Sequence, residues 1–443
     1  MKFRDIIDSP CGIRYCFDSL ELQSGYSRRM LLDSEMMCDR NQIENSYDSL
    51  RLFIDMVENN KPMLLNLQFK LQGVRDITGT LESLKKWNVL DDIELFEIKH
   101  LAMLGEEVQA YFSGAKYDIE WFRFDLNKVI GSLDPDGLHI GSFYIYDSYS
   151  EALREMRKEY KNNLDDEVLR IKIDDEENRI RKVISGLLYS YSDDLTILLH
   201  SLARIDILIS KAIQIKKEGM CLPKLAMKSS YKGMFNPEVK FILSKAGKKF
   251  QKIDFSHDFG VPTTIIGANM GGKTVVLKTL TLCQYMFQFG FGVPADESNM
   301  AIFDEIHFCI GDEQSEHKGL SSFAAEMLRI DNVLKSVKRE VRLFALIDEP
   351  ARTTNPIEGR ALVSALLKIL YGKKNLDLVM TTHYNVDNGE MCWRVKGLID
   401  GKMNYSLLRT KSNEVPHEAL NIAAELGIDQ LWLEEAKHYL FNL

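Results

Sequence analysis

The apolar run Thr264-Ile265-Ile266, followed at once by Gly267-Ala268-Asn269-Met270-Gly271-Gly272-Lys273-Thr274, constrains this chain more than any other stretch. A short apolar segment that stops at glycine reads as a buried strand, and the residues from Lys273 onward read as a helix. Between them stands a G-x-x-x-x-G-K-T loop. Its glycines let backbone N–H groups turn inward on phosphate oxygens, and the helix N-terminus adds its partial positive charge. In such a loop Lys273 reaches the β- and γ-phosphates of a nucleoside triphosphate, and the Thr274 hydroxyl ligates Mg²⁺. Gly267, Ala268, Asn269, Met270, Gly271, Gly272, Lys273 and Thr274 are therefore the expected binding residues for ATP and Mg²⁺.

A second apolar run, Leu343 to Ile347, ends in Asp348-Glu349. A carboxylate closing a buried strand holds the metal through water, and a second one beside it polarises the attacking water. Asp348 is thus expected at the metal and Glu349 as general base. A third run, Leu378 to Thr381, leads into Thr382-His383. In open α/β sheets ligands gather at the carboxyl ends of the strands, so His383 is expected to hydrogen-bond the γ-phosphate.

Around these motifs the chain changes character. From Asn41 to Leu104 apolar residues recur at three- and four-residue steps, with breaks at Asn59-Asn60-Lys61-Pro62 and at Gly73. A turn-rich stretch, Leu133 to Gly137, precedes an alternating run, His139 to Tyr146, which predicts a short hairpin. Two charge-rich helical segments follow, Glu151 to Asn163 and Glu176 to Leu199. Beyond Gly219–Pro223, short β-rich runs, including Phe241-Ile242-Leu243, alternate with helical stretches. Continuous apolar strands separated by helices predict a parallel sheet covered on both faces. The expectation is an all-α domain over residues 1–222 and an α/β P-loop ATPase domain over residues 223–443.

Composition sets limits on partners. The net charge of −9 argues against a general polyanion binder, which carries a basic face. Seven scattered cysteines contain no C-x-x-C pair, so neither a zinc ribbon nor a disulfide framework is indicated. The N-terminus has no apolar leader, and no apolar run approaches the ~20 residues that span a bilayer. A cytoplasmic protein is expected.

The motifs together resemble the MutS family. Gly267 to Thr274 is similar to its G-P-N-M-G-G-K-S-T loop, with Ala268 in place of proline. Gly319-Leu320-Ser321-Ser322-Phe323 with Glu326-Met327 resembles G-x-S-T-F-x-x-E-M. Asp348 to Gly359 and Thr382-His383-Tyr384 resemble its D-E-x-x-R-G-T and T-H-Y motifs, with Thr353-Thr354-Asn355 where G-T-S is usual. Gly292-Val293-Pro294-Ala295 follows at the family's distance, and Phe235-Asn236-Pro237 stands where R-H-P is usual. More weakly, Asp39 to Phe53 resembles the family's core helix, and Leu202 to Asp206 the end of its lever helices. The resemblance implies an ABC-type ATPase domain behind a core and lever domain, working as a homodimer or as a heterodimer with a MutS-like paralogue. It implies that Ser321 and Ser322 address the γ-phosphate held by the partner subunit, and that Asn355 lies on the dimer-facing loop. By position Phe250 is either an adenine-stacking residue or a core aromatic.

Core-like helices starting within about forty residues of Met1 leave no room for a mismatch-reading domain, and Leu164 to Glu177 is short and acidic for a DNA clamp. The loop variant G-A-N-M-G-G-K-T with D-E-x-A-R-x-T-N-P-x-E-G resembles MutS-like ATPases associated with cobalamin-dependent aminomutases, lysine 5,6-aminomutase foremost. That resemblance implies a reactivase acting on an aminomutase client. The alternative is a MutS relative that binds duplex or branched DNA, in the manner of mismatch repair.

Overall fold

The computed structural model describes residues 1–112, 117–267, 271–310, 322–386, 392–399, 402–410, 423 and 427–441. Two compact units divide it. One comprises Met1–Leu20, Glu35–Asp48 and Gln214–Leu443; the other comprises Glu21–Ser34 and Ser49–Ile213. The division is discontinuous, where the sequence suggests a single cut near Gly219–Pro223. Its cause is aromatic packing. Phe3 lies against Phe17, Phe289 and Phe291, and the Tyr47 hydroxyl donates to the carbonyls of Phe287 and Phe291.

The first unit is α/β. Its strands among the described residues are β1 (Lys224–Leu225), β2 (Ser229–Met234), β3 (Ile253–His257), β4 (Thr263–Ile266), β5 (Glu297–Met300), β6 (Glu305–Cys309), β7 (Leu343–Ile347), β8 (Leu376–Thr381), β9 (Cys392–Ile399) and β10 (Lys402–Thr410). Six form a sheet in the order β10-β9-β4-β8-β7-β6, parallel from β9 to β6, with β10 antiparallel at one edge. Every residue of β4, β7 and β8 is buried, as a sheet covered on both faces requires. A second sheet, β1-β5-β2-β3, is mostly antiparallel; its short, polar strands lack the apolar run that marks a strand in sequence.

Phe241-Ile242-Leu243 is helical, within Pro237–Lys245. The Asn236 side chain caps that helix by accepting from the Val239 N–H, and Pro237 occupies its first turn. Capping chemistry overrides β propensity here.

The second unit is helical. Arg40–Asn59, which runs on from the first unit, is followed by Lys61–Leu71, whose Asn60 cap and Pro62 explain the break between them. Asp92–Phe112, Glu151–Asn162 and Glu167–Tyr189 follow. The expected helix through Leu199 is interrupted at Ser190 and Tyr191, and a new one runs Ser192–Glu218. The expected hairpin over 139–146 is not formed; the segment holds no strand and leads into a 3₁₀ turn, Asp147–Tyr149. Ile145 and Tyr146 are both buried, which an alternating strand forbids. The buried Lys99 ammonium, donating to the Ser142 carbonyl and the Tyr146 hydroxyl, draws the segment inward. No helix among the described residues is long and apolar enough to cross a membrane.

Candidate functional site

Three strand ends meet at the carboxyl edge of the six-stranded sheet. β4 delivers Gly267, β7 delivers Asp348 and Glu349, and β8 delivers Thr381 and His383. Gly267 has φ of 149°, and a Cβ there would stand 3.1 Å from the Val395 Cβ on β9. Gly272, at φ 77°, caps the helix Lys273–Gln288, and its Cβ would press on the Tyr405 ring of β10 at 3.2 Å. Both positions demand a left-handed backbone without a side chain. Ala268, Asn269 and Met270 lie outside the described residues, as does Ser321; Ser322 opens the helix Ser322–Lys338.

Around this corner polar groups converge. The Thr274 hydroxyl donates to Asp348 Oδ2 at 2.8 Å, and the Thr381 hydroxyl donates to the other carboxylate oxygen, Oδ1, at 2.6 Å. Thr381 also accepts the Glu349 backbone N–H at 2.8 Å. One hydroxyl on β8 therefore fixes both carboxylate residues just past β7. The Lys273 ammonium, 4% exposed, donates to the Gly267 carbonyl at 2.8 Å and lies 3.1 Å from Glu349 Oε1. Arg352 stands 3.8 Å from the second Glu349 oxygen.

The backbone past β7 is strained. Glu349 has φ of 41° and Ala351 of 61°, the left-handed region that L residues avoid. The Ala351 N–H donates to Glu326 at 3.0 Å, and its carbonyl accepts from the Tyr384 hydroxyl at 2.8 Å. These anchors over-determine the turn. Burial raises the Glu326 carboxyl above its usual range, opposed by the Ala351 N–H. Burial also lowers the His383 pKa; Glu349 opposes that shift, and Lys273 and Arg352 add to it. The imidazole is therefore neutral at pH 7, a hydrogen-bonding group beside two cations.

The sequence-derived residues Gly267, Gly272, Lys273, Thr274, Asp348, Glu349 and His383 thus stand together. Asn355 caps the helix Pro356–Leu370, its side chain accepting from the Ile357 N–H at 2.9 Å. Phe250 is half-buried just before Gln251, whose side chain donates to Asn404 and Ser406 and accepts from the Tyr405 N–H. That tie leads to the ring against Gly272. Sequence reasoning assigned no role to Thr381, Arg352 or Tyr405. A threonine closing a strand beside an Asp-Glu strand is a usable signal, and so is an arginine three residues past Glu349; Tyr405 approaches the site only through a tertiary contact.

Residues 263–396 match MutS domain V, an ATPase domain. They span the loop, both carboxylates and His383. This region belongs to the MutS family. Similarity to named MutS relatives runs further along the chain. Endonuclease MutS2 of Caldicellulosiruptor saccharolyticus is 34% identical over 290 residues, 62% of this chain and 35% of the relative. The proteins of the same name from Finegoldia magna and Enterococcus faecalis are 33% and 31% identical over 280 and 284 residues, each match covering 34% of the relative. The matched part of this chain thus spans about a third of the length of these MutS2 relatives.

Proposed function

We propose that this MutS-family chain is an ATP-driven switch of the P-loop, ABC-type class that remodels a partner. The observation that carries it is the convergence of the Thr274 hydroxyl, the Asp348 carboxylate, the Lys273 ammonium and Glu349 at one strand edge. Thr274 and Asp348 offer two hard oxygen donors 2.8 Å apart, the donor type Mg²⁺ takes, so the residues fit that ion. When bound, Mg²⁺ neutralises charge on the β- and γ-phosphates. Lys273 pairs with the same phosphates, while Glu349 takes the proton of the attacking water. Neutral His383 donates to the γ-phosphate. Ser321 and Ser322 complete the site of a second subunit, in a homodimer or with a MutS-like paralogue.

The client in this reading is a protein, specifically a cobalamin-dependent aminomutase from which ATP-driven closure ejects damaged cofactor. Its support is the loop variant and the acidic balance of −9. The name of the MutS2 relatives favours a second reading, in which the client is DNA. ATP turnover measured with and without duplex or branched DNA, at low and moderate salt, separates the two. Stimulation by an aminomutase and indifference to DNA is expected. Stimulation by DNA that fades with salt overturns the protein-client reading.

A further inference from the structure

The helix Glu167–Tyr189 carries two apolar faces. Leu169, Ile173, Ile180, Ile184 and Leu188 are buried within the helical unit. On the opposite side of its first turns, Val168 and Ile171 are 64% and 60% exposed, and Leu164, just ahead of the helix, is 68% exposed. The spacing of three residues sets Val168 and Ile171 on one helix face, and Leu164 stands in the turn just ahead of the Asp166 N-cap. Such a group at the free end of a helical pair is an exposed patch that its own fold does not cover.

Its rim is acidic. Asp165, Glu167, Asp174 and Asp175 flank the patch and form no ion pair among the described residues. Glu176 and Glu177, one turn further on, are engaged by Arg179, Arg157 and Arg181. Lys158 and Lys161 of the preceding helix, with Arg170 and Lys172, are the cations at this end, and carboxylates outnumber them eight to four from Lys158 to Glu177. A phosphate backbone and an anionic lipid surface are both repelled by that rim. A protein surface that offers apolar side chains ringed by lysine and arginine matches it in both respects.

We propose that this end of the Glu151–Asn162 and Glu167–Tyr189 pair is a docking surface for a protein partner with an apolar, basic-rimmed face. It rests on the reading of the chain as a remodeller of a protein client, and names where that client is gripped.

The test uses the full chain without nucleotide and a fluorescent amphipathic helical peptide built of leucine and lysine. Two control peptides replace its leucines by serine or its lysines by glutamate. The leucine–lysine peptide binds best, and the combined Leu164→Ser, Val168→Ser and Ile171→Ser variant weakens it at least about tenfold, the loss expected when buried anchors are removed. Asp165→Lys with Glu167→Lys shifts preference toward the glutamate peptide. The serine variant keeps the wild-type melting temperature and ATP turnover, because its three positions are exposed and outside the nucleotide site. Equal binding by wild type and serine variant overturns the proposal, as does equal affinity for the serine-substituted peptide. Self-association of the chain that the serine variant abolishes also overturns it, since a second copy then covers the face. Each readout is taken without ATP, so a failure here is distinct from a failure of hydrolysis.

Discussion

Lys99 in the helical unit and Lys273 in the α/β unit each lie 3.1 Å from a carboxylate oxygen, and their side chains are 1% and 4% exposed. Lys99 is satisfied on every side. Its ammonium donates to Asp134, to the Ser142 carbonyl and to the Tyr146 hydroxyl, which accounts for its three protons. The second Asp134 oxygen accepts the His139 N–H at 2.8 Å. Burial opposes ionisation of Asp134, yet the His139 N–H and the Lys99 charge hold its carboxyl below the usual range. Lys273 sits among groups under tension instead. Its carboxylate belongs to Glu349, whose backbone is left-handed and whose other oxygen faces Arg352. A closed, saturated pair holds a loop in place, whereas a pair on a strained backbone at a sheet edge is poised to exchange partners. Burial alone does not separate the two kinds.

The contrast is sharpest when each lysine is removed. Lys99→Met strands a fully buried carboxylate and should cost about 3–5 kcal/mol, read as a lowered melting temperature. Lys273→Ala should leave the melting temperature near wild type while cutting ATP turnover by about 10²–10³, the usual loss when one transition-state cation or donor is taken away. A Lys273 variant that unfolds, with a Lys99 variant that does not, breaks the comparison. Thr381→Val removes the hydroxyl that fixes Asp348 and Glu349, and about 1–3 kcal/mol of stabilisation is at stake for those buried groups. It should lower turnover more than stability.

Acidity separates the pairs more gently. The folded Asp134 pKa lies below the ordinary 3.8, so its stabilisation is present above that value and is lost as pH falls through the lower folded one. The His383 pKa is also depressed, so the imidazole stays neutral down to its ordinary value of 6.5 and below. Turnover should hold steady from pH 8 to about 6.5 and decline only in more acid solution, while the fold persists to the carboxylate range. A rate profile that falls between pH 8 and 7 contradicts the neutral His383.

Local signals made much of the α/β unit legible. Thr264 to Thr274 and Leu343 to Glu349 announce themselves because an apolar strand stopped by glycine or by paired carboxylates has few other uses. The Asn236-Pro237 start was equally visible and outweighs Phe241 to Leu243. The hairpin expected over 139–146 failed because alternation does not supply a pairing strand, and a buried lysine elsewhere decided the course of that segment. Thr381 could be seen as a strand end, but its double role depends on β8 lying beside β7. The packing of Phe3 and Tyr47 against Phe287 to Phe291 is a long-range contact with no local signature. The match to MutS domain V begins at Thr263 and so leaves those N-terminal contacts to the structure alone.

The role proposed for Glu349 lies with the nucleotide and not with the fold. ATP binding and ATP turnover should therefore be measured side by side for Glu349→Gln. Nucleotide should bind at wild-type affinity, turnover should fall at least about a hundredfold, and the variant should keep its melting temperature and stall as a dimer. Full turnover by this variant, or loss of the fold with it, rules out that role for Glu349.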